Sequence, residues 1–330
     1  MTIYDIAREA GVSASSVSRV VNNKPGVNRK TREQIQALLQ KYHYEPNVTA
    51  RGLVTHNSRL VGILVADIRT QHHIEGAYHI AKELANHGYY GIILNTGDSD
   101  EERAASIRAL KQHQVEAAVL MGSIFQTETV RTAIMQHLPQ TPVFMLNGFL
   151  DLPNVYGVLS DECAGVEQCV QLLAAKGRRH IAFFVDQPTP SSVLKTQGFK
   201  NGMARLGVPE RGLWLYEGVE GTLGGGAAAV RRALAEHPNL DGIVCSLDLL
   251  ACGALLALRE AGISVPKDVG VIGIDNSVYA EISTPRLTSL DNMILESGVT
   301  IAHKLIDRLE GHSTNQRTLL YTAVVEREST

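Results

Sequence analysis

Residues 2–22, TIYDIAREAGVSASSVSRVVN, decide the fold at the amino-terminal end of this 330-residue chain. Apolar residues recur at helical spacing on both sides of Gly11, first as Ile3, Ile6, Ala7 and Ala10, then as Val17, Val20 and Val21. Gly11 is a natural helix stop, and the Ser13 hydroxyl can cap the next helix by accepting a backbone N–H. Two short helices joined by three residues predict a helix-turn-helix.

The surface of this predicted head favours DNA as its partner. The second helix, from Ala14 to about Asn22, exposes Ala14, Ser15, Ser18 and Arg19, and a third helix begins near Asn28 and buries Ile35, Leu38, Leu39 and Tyr42. Short side chains let the backbone approach a groove, with Ser13 and Ser16 near phosphates and Arg19 near guanine O6 and N7. Spacing alone leaves open a small helical bundle that binds protein.

Charge is divided unevenly along the chain. Residues 1–56 hold eight Lys and Arg against four acids, a net charge of +4, while the remainder carries −7. A small basic module on an acidic body indicates that only the head meets a polyanion. The start lacks the apolar stretch of a signal peptide, and no apolar run approaches the ~20 residues that cross a bilayer, so we expect a soluble, cytoplasmic protein.

From Leu60 onward, apolar strand-like runs alternate with amphipathic helical stretches. The runs are LVGILVA (60–66), YYGIILN (89–95), AAVLMG (117–122), PVFMLN (142–147), HIAFFV (180–185), DGIVCS (241–246) and DVGVIGI (268–274). This alternation predicts βαβ units and parallel sheets with helices on both faces. Two such blocks, divided near residue 158, predict two lobes and a ligand cleft at the carboxyl ends of their strands.

Strong signatures of catalysis and metal binding are missing from the sequence. The triplet Gly224–Gly226 lacks the Lys-Ser/Thr of a P-loop and is expected to form a flexible loop before a helix. No HExxH or GxSxG occurs, and the adjacent His72 and His73 suit a polar loop. Without CxxC spacing, four cysteines are expected to be reduced and packed, namely Cys163, Cys169, Cys245 and Cys252. The sequence therefore predicts no enzyme, no cofactor and no metal site.

The segments TIYDIAREAGVSASSVSRVVN, VNRKTREQI and YHYEPNVTARGL closely resemble the head of the LacI/GalR family of bacterial repressors. The likeness continues through VGILVADI, HIAFFVDQ, SLDLLACGALLALREAGISVPKDVGVIGIDN and TPRLTSLDN to VVERES, so it covers nearly the whole chain. The resemblance implies an all-α helix-turn-helix head and an α/β two-lobed, periplasmic-binding-protein-like body with parallel sheets. It also implies that the chain crosses between the lobes three times, returning near Leu290 and Leu319.

The same resemblance assigns roles in DNA binding. It implies base reading by Ala14, Ser15 and Arg19 in the major groove, and backbone contacts by Ser13, Ser16, Asn22 and Tyr44. Residues 46–59 would form a hinge helix that folds on the operator, with Asn47, Ala50 and Leu53 at the DNA and Leu53 as a wedge in the minor groove. Composition alone leaves a bland linker open, because Val48, Thr49 and Gly52 are poor helix formers.

Six residues of the body are candidate ligand contacts: His72, His73, Asp161, Ser191, Lys195 and Asp275. In the resemblance, His73 stands where an aromatic ring often stacks on the ligand, and the three charged residues stand at hydroxyl-binding positions. Asp161 and Asp275 also suit helix caps or turns, and Lys195 suits a solvated surface. Lys195 replaces the usual Arg of the family and loses its planar fork. A carbohydrate is the first expectation, with a phosphorylated sugar, a sugar acid or another polar metabolite left open.

Together these observations predict a homodimeric repressor of carbohydrate-related genes that reads a near-palindromic operator and is controlled by a small-molecule effector between its lobes. The predicted divisions are a head at 1–45, a hinge or linker at 46–59 and a body at 60–330. Lobe 1 would take about 60–158 and 291–317, and lobe 2 about 159–290 and 318–330. The rivals are a sugar-binding transport protein, which has no use for residues 1–56, and an enzyme with a regulatory head.

Overall fold

The computed structural model describes residues 2–21, 23–44 and 58–330. The chain divides into two compact units, Met1–Arg59 and Leu60–Thr330, which are described separately as the head and the body. Residues 46–57 of the predicted hinge segment 46–59 lie outside the described residues, and so do its candidate DNA contacts Asn47, Ala50 and Leu53. The candidate Asn22 lies outside them as well.

The described part of the head contains three helices, α1 (Ile3–Ala10), α2 (Ala14–Val21) and α3 (Arg29–Lys41). Gly11 ends α1 in the left-handed conformation, with φ of 65°, which a residue without Cβ adopts without strain. The Ser13 hydroxyl accepts the Ser16 amide at 3.3 Å, and the Asn28 side chain accepts the Thr31 amide at 2.9 Å. The predicted stop at Gly11 and the predicted cap at Ser13 are confirmed, and α3 begins after Asn28, as predicted.

The core of the head is small. It is formed by Ile6, Ala7, Ala10, Val17, Val20 and Ile35. The burial predicted for the rest of α3 is only partial, because Leu38, Leu39 and Tyr42 are half-buried at the edge of this core. Tyr42 instead directs its hydroxyl outward and donates to Glu9 Oε1 at 2.9 Å. A three-helix unit of this size cannot enclose every apolar side chain.

The body contains two six-stranded sheets, each of which defines one lobe. The strands are β1 (Leu60–Val65), β2 (Tyr90–Asn95), β3 (Ala117–Met121), β4 (Val143–Leu146), β5 (Val155–Ser160), β6 (Ile181–Phe184), β7 (Trp214–Tyr216), β8 (Gly242–Cys245), β9 (Gly270–Ile274), β10 (Thr288–Asp291), β11 (Arg317–Leu320) and β12 (Ala323–Val325). The strand order is β11-β5-β4-β3-β1-β2 in lobe 1 and β12-β10-β9-β8-β6-β7 in lobe 2. All pairs are parallel except β10 with β12, which confirms the predicted mostly parallel α/β body.

Helices connect the strands and cover both faces of each sheet. They are α4 (Gln71–Asn86), α5 (Asp100–Gln112), α6 (Glu128–His137), α7 (Glu162–Ala175), α8 (Pro190–Arg205), α9 (Leu223–Glu236), α10 (Asp248–Glu260), α11 (Val278–Ile282) and α12 (Ile294–Leu309). Short 3₁₀ turns lie at Ser123–Phe125 and Glu210–Gly212. Within the described ranges, no helix combines the length and the apolar character needed to cross a membrane.

The chain crosses between the lobes after β5, after β10 and after β11. Hydrogen bonds join these crossings to one another: Ser160 Oγ donates to Asn292 O at 2.6 Å, and Thr322 Oγ1 donates to Asp161 O at 3.1 Å. Because Ser160 pairs with Leu320 inside the first sheet, lobe 1 extends slightly beyond the predicted limits at residues 158 and 317. Strand pairing, which is not visible in the sequence pattern, decides where the lobes meet.

The glycine triplet Gly224–Gly226 lies inside α9 and does not form the predicted flexible loop. A Cβ on Gly226 would lie 2.1 Å from Leu250 O, and one on Gly253 would lie 2.1 Å from Leu223 O. These glycines therefore let α9 and α10 approach backbone to backbone. Thr222 caps α9 by accepting the Gly225 amide at 3.0 Å, so the helix begins before the triplet.

Candidate functional site

The cleft between the two lobes lies at the carboxyl ends of the strands, where the first turns of α4, α7 and α8 also begin. It encloses about 1100 Å³ of space, part of it open to solvent. Its polar lining comes from both lobes and includes Asp67, His72, His73, Asp98, Ser123, Asn147, Glu162, Asp186, Ser191, Lys195, Asp275 and Asn292. This is the position and the mixture of groups expected of a small-molecule site in a two-lobed α/β protein.

Lys195 is the centre of the charged part of the cleft. Its side chain projects from α8, is only 6% exposed, and donates from Nζ to Ser246 O at 3.3 Å. Nζ also lies 3.5 Å from Glu162 Oε1. Burial acts to lower the pKa of Lys195, but the carboxylates of Glu162, Asp275 and Asp186 outweigh it, so the net pKa is raised. Lys195 is therefore a buried ammonium and not the solvated surface residue that its sequence also allowed.

Glu162 is the buried partner of this ammonium. It is 1% exposed, and Oε1 also accepts the Ser191 hydroxyl at 2.7 Å. The other oxygen, Oε2, is buried without a hydrogen-bond partner among the described residues, and the same is true of Asn292 Oδ1. Buried polar atoms are normally hydrogen-bonded, so these two acceptor atoms are exceptions in the cleft lining.

Asp275 lies at the end of β9 with φ of 108°, a conformation that side-chain-bearing residues rarely adopt. Its Oδ1 accepts from Asn292 Nδ2 at 2.9 Å and lies 3.8 Å from His72 Nδ1 of the opposite lobe. Burial raises the pKa of Asp275 to about 7, and the charges of Glu162 and Asp186 add to this, although Lys195 and the Asn292 hydrogen bond act the other way. The carboxyl group is thus held near its titration point at neutral pH.

A second buried carboxyl lies directly behind Asp275. Asp248, at the start of α10, is 1% exposed and accepts three hydrogen bonds, from the Ser277 amide at 2.7 Å, the Ser277 hydroxyl at 2.8 Å and the Ser289 hydroxyl at 2.5 Å. Burial, followed by the charge of Asp275, raises the pKa of Asp248 to about 7 despite these hydrogen bonds. This network anchors the loop that carries Asp275.

The adjacent histidines come from lobe 1. His72 and His73 lie in the first turn of α4, so their expected place in a polar loop was wrong. His73 Nδ1 lies 2.8 Å from Asp67 O. Burial lowers the pKa of both rings to about 4, with further lowering of His72 by Lys195 and of His73 by His72. Both imidazoles are therefore neutral at neutral pH and can donate as well as accept hydrogen bonds.

The structure brings five of the six candidate ligand residues into the cleft: His72, His73, Ser191, Lys195 and Asp275. Asp161 lies outside it, because its carboxylate caps α7 by accepting the Ala164 amide at 3.1 Å, while the next residue, Glu162, faces the cleft. Sequence reasoning missed Glu162, Asn147 and Asp186. The last two directly follow the apolar runs of β4 and β6, so the strand-end rule was a signal for them.

The candidate DNA-binding face lies at the amino end of α2. Ser13 Oγ lies 2.8 Å from Ser15 Oγ and 3.0 Å from Ser16 Oγ, so the three hydroxyls form one cluster. Arg19 is exposed and lies beside Gly26, where a Cβ would be 3.3 Å from Nη1. Ala14 and Tyr44 are half-buried against the core of the head. The face is short, polar and basic, as a major-groove reader requires.

Within residues 2–21, 23–44 and 58–330, no three His, Cys, Asp or Glu side chains are grouped so that they could hold a metal ion. In that same part of the chain, all four cysteines are free thiols. Burial raises the pKa of Cys169 to about 12 and also raises that of Cys245, so these two thiols are unreactive at neutral pH. What the cleft can do chemically is bind, through donors and carboxylates, a polar molecule held between two lobes.

A helix-turn-helix head on a two-lobed body with a ligand cleft defines a class of DNA-binding transcription regulators. Residues 2–47 match the model of the lacI family of bacterial regulatory proteins, and residues 170–330 match a periplasmic binding protein-like domain. The chain belongs to the LacI family, as its resemblance in the sequence predicted. It is 30% identical to catabolite control protein A of Priestia megaterium over 320 residues, which cover 95% of this chain and 94% of that protein.

Solved structures agree with this assignment. The chain is similar to the lac repressor dimer bound to operator and the anti-inducer ONPF, with a TM-score of 0.88 at 22% identity, covering 100% of this chain and 98% of the other. It is also similar to the complex of the transcriptional regulator CelR with cellobiose, with a TM-score of 0.73 at 26% identity and complete coverage of both chains. The protein is a LacI-family DNA-binding transcriptional regulator with the fold of that family.

Proposed function

We propose that this protein is a homodimeric repressor of carbohydrate-related genes, in which the head reads a near-palindromic operator and a sugar or sugar derivative in the cleft controls the affinity for DNA. The observation that carries the proposal is the cleft itself. Polar groups of the two lobes face each other there, with Ser191 N donating to Ser123 Oγ at 3.0 Å and His72 lying 3.8 Å from Asp275. A ligand that binds both sides favours one arrangement of the lobes.

DNA reading is assigned to the exposed face of α2. Ser13 and Ser16 would position the helix on phosphates, Ser15 and Arg19 would read base edges, and the half-buried Ala14 would let the backbone come close. The net charge of +4 over residues 1–56 supports contact with a polyanion. Asn22, Tyr44, Asn47, Ala50 and Leu53 remain proposed contacts on the resemblance alone, with residues 46–59 as the hinge.

Apolar surface supports the homodimer. In lobe 1, Ile74 and Tyr78 on α4 are exposed beside Tyr90 and Ile93 of the edge strand β2. In lobe 2, exposed apolar residues lie on α9, α10 and α11, namely Leu223, Leu256, Val278 and Ile282. Exposed apolar groups gathered on successive elements mark interfaces, and a two-fold dimer would present two heads to the two halves of a palindrome.

The chemistry of the cleft supports a hydroxylated ligand. Carboxylates and an amide oxygen accept hydrogen bonds from vicinal hydroxyls, and the neutral His72 and His73 offer both donors and ring faces. The CelR structure, a complex with cellobiose, supports a carbohydrate for this chain as well. The relatives are named as regulators, which supports binding without catalysis, and we place the protein in the bacterial cytoplasm, where its operator lies.

The test is binding of the full chain to DNA. Genomic footprinting identifies the operator, and titrations then compare the operator with random duplex. We expect Arg19→Ala to reduce operator binding by roughly 5- to 150-fold, since a bidentate base contact contributes about 1–3 kcal/mol, while its binding to random DNA changes much less.

The matched control is Arg29→Ala, since Arg29 is an exposed arginine of the head that pairs with Glu33 at 2.8 Å. We expect it to change binding to both DNAs together. Absence of any sequence preference in the parent dimer, across ligand conditions, would falsify the proposed function.

A further inference from the structure

We propose that the effector of this cleft carries a cationic nitrogen on a hydroxylated frame, as an amino sugar does, and that Glu162 binds this nitrogen. The inference rests on the proposed role of the cleft as the effector site. It goes beyond it by naming the charge of the ligand and the residue that selects it.

Acidic groups outnumber basic groups in the cleft. Three carboxyl groups, those of Glu162, Asp186 and the partly protonated Asp275, act on the ammonium of Lys195 in the inner part of the cleft. Nearer the mouth, Asp67 and Asp98 add two more acids, and Arg69, which pairs with Asp67 at 2.7 Å and also attracts Asp98, offsets one of these charges. Because both histidines of the lining are neutral, the site has a net negative charge. A cationic ligand is attracted to it, and an anionic ligand is repelled.

Lys195 is already engaged by groups of the protein. Its ammonium donates to Ser246 O and contacts Glu162, and it neutralises carboxylates that are themselves buried. A phosphate or carboxylate of a ligand would have to compete with Glu162, Asp186 and Asp275 for this one cation. The phosphorylated sugar and the sugar acid, which the sequence left open, therefore fit this cleft poorly.

Two buried acceptor atoms of the cleft residues have no donor among the described residues. Glu162 Oε2 and Asn292 Oδ1 belong to residues that line the cleft, and neither has a hydrogen-bond partner among the described residues. An alkylammonium group offers three donors and no acceptor, so it can satisfy such atoms and compensate charge at once. A hydroxyl group donates one hydrogen bond and leaves the excess of negative charge in place.

The protonation of Asp275 agrees with the proposal of a cationic ligand. Its raised pKa, about 7, reflects burial beside other carboxylates and means that the site relieves its own negative charge by holding a proton. A cation in the cleft would provide the same relief, whereas a neutral sugar would not. Ser191 and Asn292, which hydrogen-bond Glu162 and Asp275, keep these carboxylates in place for such a ligand.

The experiment is calorimetric titration of the full chain with matched sugars. The probes are glucosamine, galactosamine and mannosamine with their β-1,4-linked dimers, the parent hexoses, the N-acetylated forms, and the 6-phosphates and uronic acids. We expect at least one amine to bind tenfold or more tightly than its parent and its N-acetylated form, with no binding of the anions. A parent sugar that binds as well as its amine, an anion that binds, or failure of every amine to bind overturns the proposal.

Variants separate selection from structure. Glu162→Gln keeps the shape and removes one negative charge, and we expect it to lose at least tenfold in affinity for the amine with little change for the neutral parent. Asp186→Asn, at a half-buried and less critical position, is expected to act in the same direction even if Glu162→Gln folds poorly. Asp151→Asn, an exposed acid outside the cleft, is the control. Equal losses for amine and parent would mean that Glu162 is structural only and would overturn the assignment.

The two proposals fail independently. Operator titration without any sugar decides whether the chain is a sequence-specific DNA binder. The amine preference is measured on the same preparation without DNA. If the chain binds an amine but does not recognise an operator, the proposed repressor function is refuted. If it recognises an operator but shows no preference for an amine, only the proposal of a cationic ligand is refuted.

Discussion

The two lobes have the same architecture and different chemistry. Each is a six-stranded sheet in which one edge strand, β11 or β12, is added after a later crossing of the chain, and each ends its strands at the common cleft. Lobe 1 supplies mainly neutral groups there, among them His72, His73, Ser123 and Asn147, together with Asp67 and Asp98 at the mouth. Lobe 2 supplies the buried charges, Glu162, Asp186, Lys195 and Asp275. The fold decides where side chains meet, and the residues at those places decide independently what they bind.

The lobes also differ in how their helices pack. In lobe 2, a Cβ on Gly198 would lie 2.1 Å from Cys163 O, so α8 lies against the backbone of α7. In lobe 1, a Cβ on Gly76 would meet Met121 Cε at 2.6 Å and Ile294 Cδ1 at 3.1 Å, which are ends of flexible side chains. We therefore expect the contact of α7 with α8 in lobe 2 to tolerate substitution less well than the surroundings of Gly76 in lobe 1.

The largest effect is expected from Lys195→Met. Removing one partner of a buried ion pair leaves Glu162 charged and uncompensated, which destabilises proteins by about 3–5 kcal/mol. Urea denaturation followed by circular dichroism measures the loss. Lys200→Met, on the same helix but 35% exposed and paired with Glu210, is the control, and we expect little change from it. Equal stability of the two variants would remove the contrast between a charged lobe 2 and a neutral lobe 1.

Next in size is the glycine comparison. Gly198→Ala forces two helix backbones apart, and overpacking of this kind costs about 1–3 kcal/mol, of which about 1 kcal/mol is offset by the better helix propensity of alanine. Gly76→Ala displaces only side-chain ends and gains about 1 kcal/mol of helix propensity, so its net effect should be close to zero. Thermal and urea denaturation measure the change in stability caused by each substitution. If Gly76→Ala proves the more damaging, the packing contrast is wrong.

A smaller effect, on the order of 2 kcal/mol, is expected in the pH dependence of Asp275→Asn. The native Asp275 pKa of about 7 lies above its ordinary value of 3.8, so the native state holds an extra proton between these values. The parent protein therefore loses stability as pH rises from about 4 to about 7, and the variant lacks this loss. Asparagine, like aspartate, adopts positive φ more readily than most residues, so the backbone strain at this position should be similar in the parent and the variant.

The measurement is urea denaturation of parent and variant at pH 5 and pH 8. The free energy of unfolding of the variant, relative to that of the parent, should be higher at pH 8 than at pH 5. The groups that face Asp275, namely Lys195, Glu162, Asp186, His72 and Asp248, remain in both proteins. A constant difference between the two proteins at both pH values would show that Asp275 is ionised throughout and would weaken the contrast of buried charge.

The smallest effect is expected at the helix caps, where the two lobes have the same kind of local interaction. Thr222 caps α9 in lobe 2 by accepting the Gly225 amide at 3.0 Å, and Thr127 caps α6 in lobe 1 by accepting the Val130 amide at 3.3 Å. Replacing either threonine by alanine should cost about 1 kcal/mol, because a cap is a local interaction. Chemical denaturation checks both. A difference larger than 1 kcal/mol between the two would mean that the lobes differ even in local structure.

Much of the fold could be predicted from the sequence. All seven apolar runs contain a strand, Ser13 caps α2 as predicted, and α3 begins after Asn28 as predicted. The shortest strands, β7 and β12, are three residues long and carry no periodic signal. The glycine triplet was taken for a loop because its packing partner, Leu250, is distant in sequence and visible only in the fold.

The candidate site was predictable in position and only partly in chemistry. The strand-end rule located Lys195 and Asp275, but it did not separate Asp161, which caps a helix, from Glu162, which faces the cleft. The two acids are adjacent, and only the direction of α7 decides between them. The burial of Lys195 could not be foreseen either, since it depends on three carboxylates that come from separate segments of the chain.

The three crossings at Ser160, Asn292 and Leu320 have a consequence for how the body can be divided. Neither lobe is a continuous stretch of polypeptide, since lobe 1 needs β11 and α12 from beyond the whole of β6–β10. A fragment cut after the first crossing would lack the outer strand of its own sheet. To be isolated, lobe 1 would have to be spliced from two pieces, so a gene truncated between the crossings encodes no intact half.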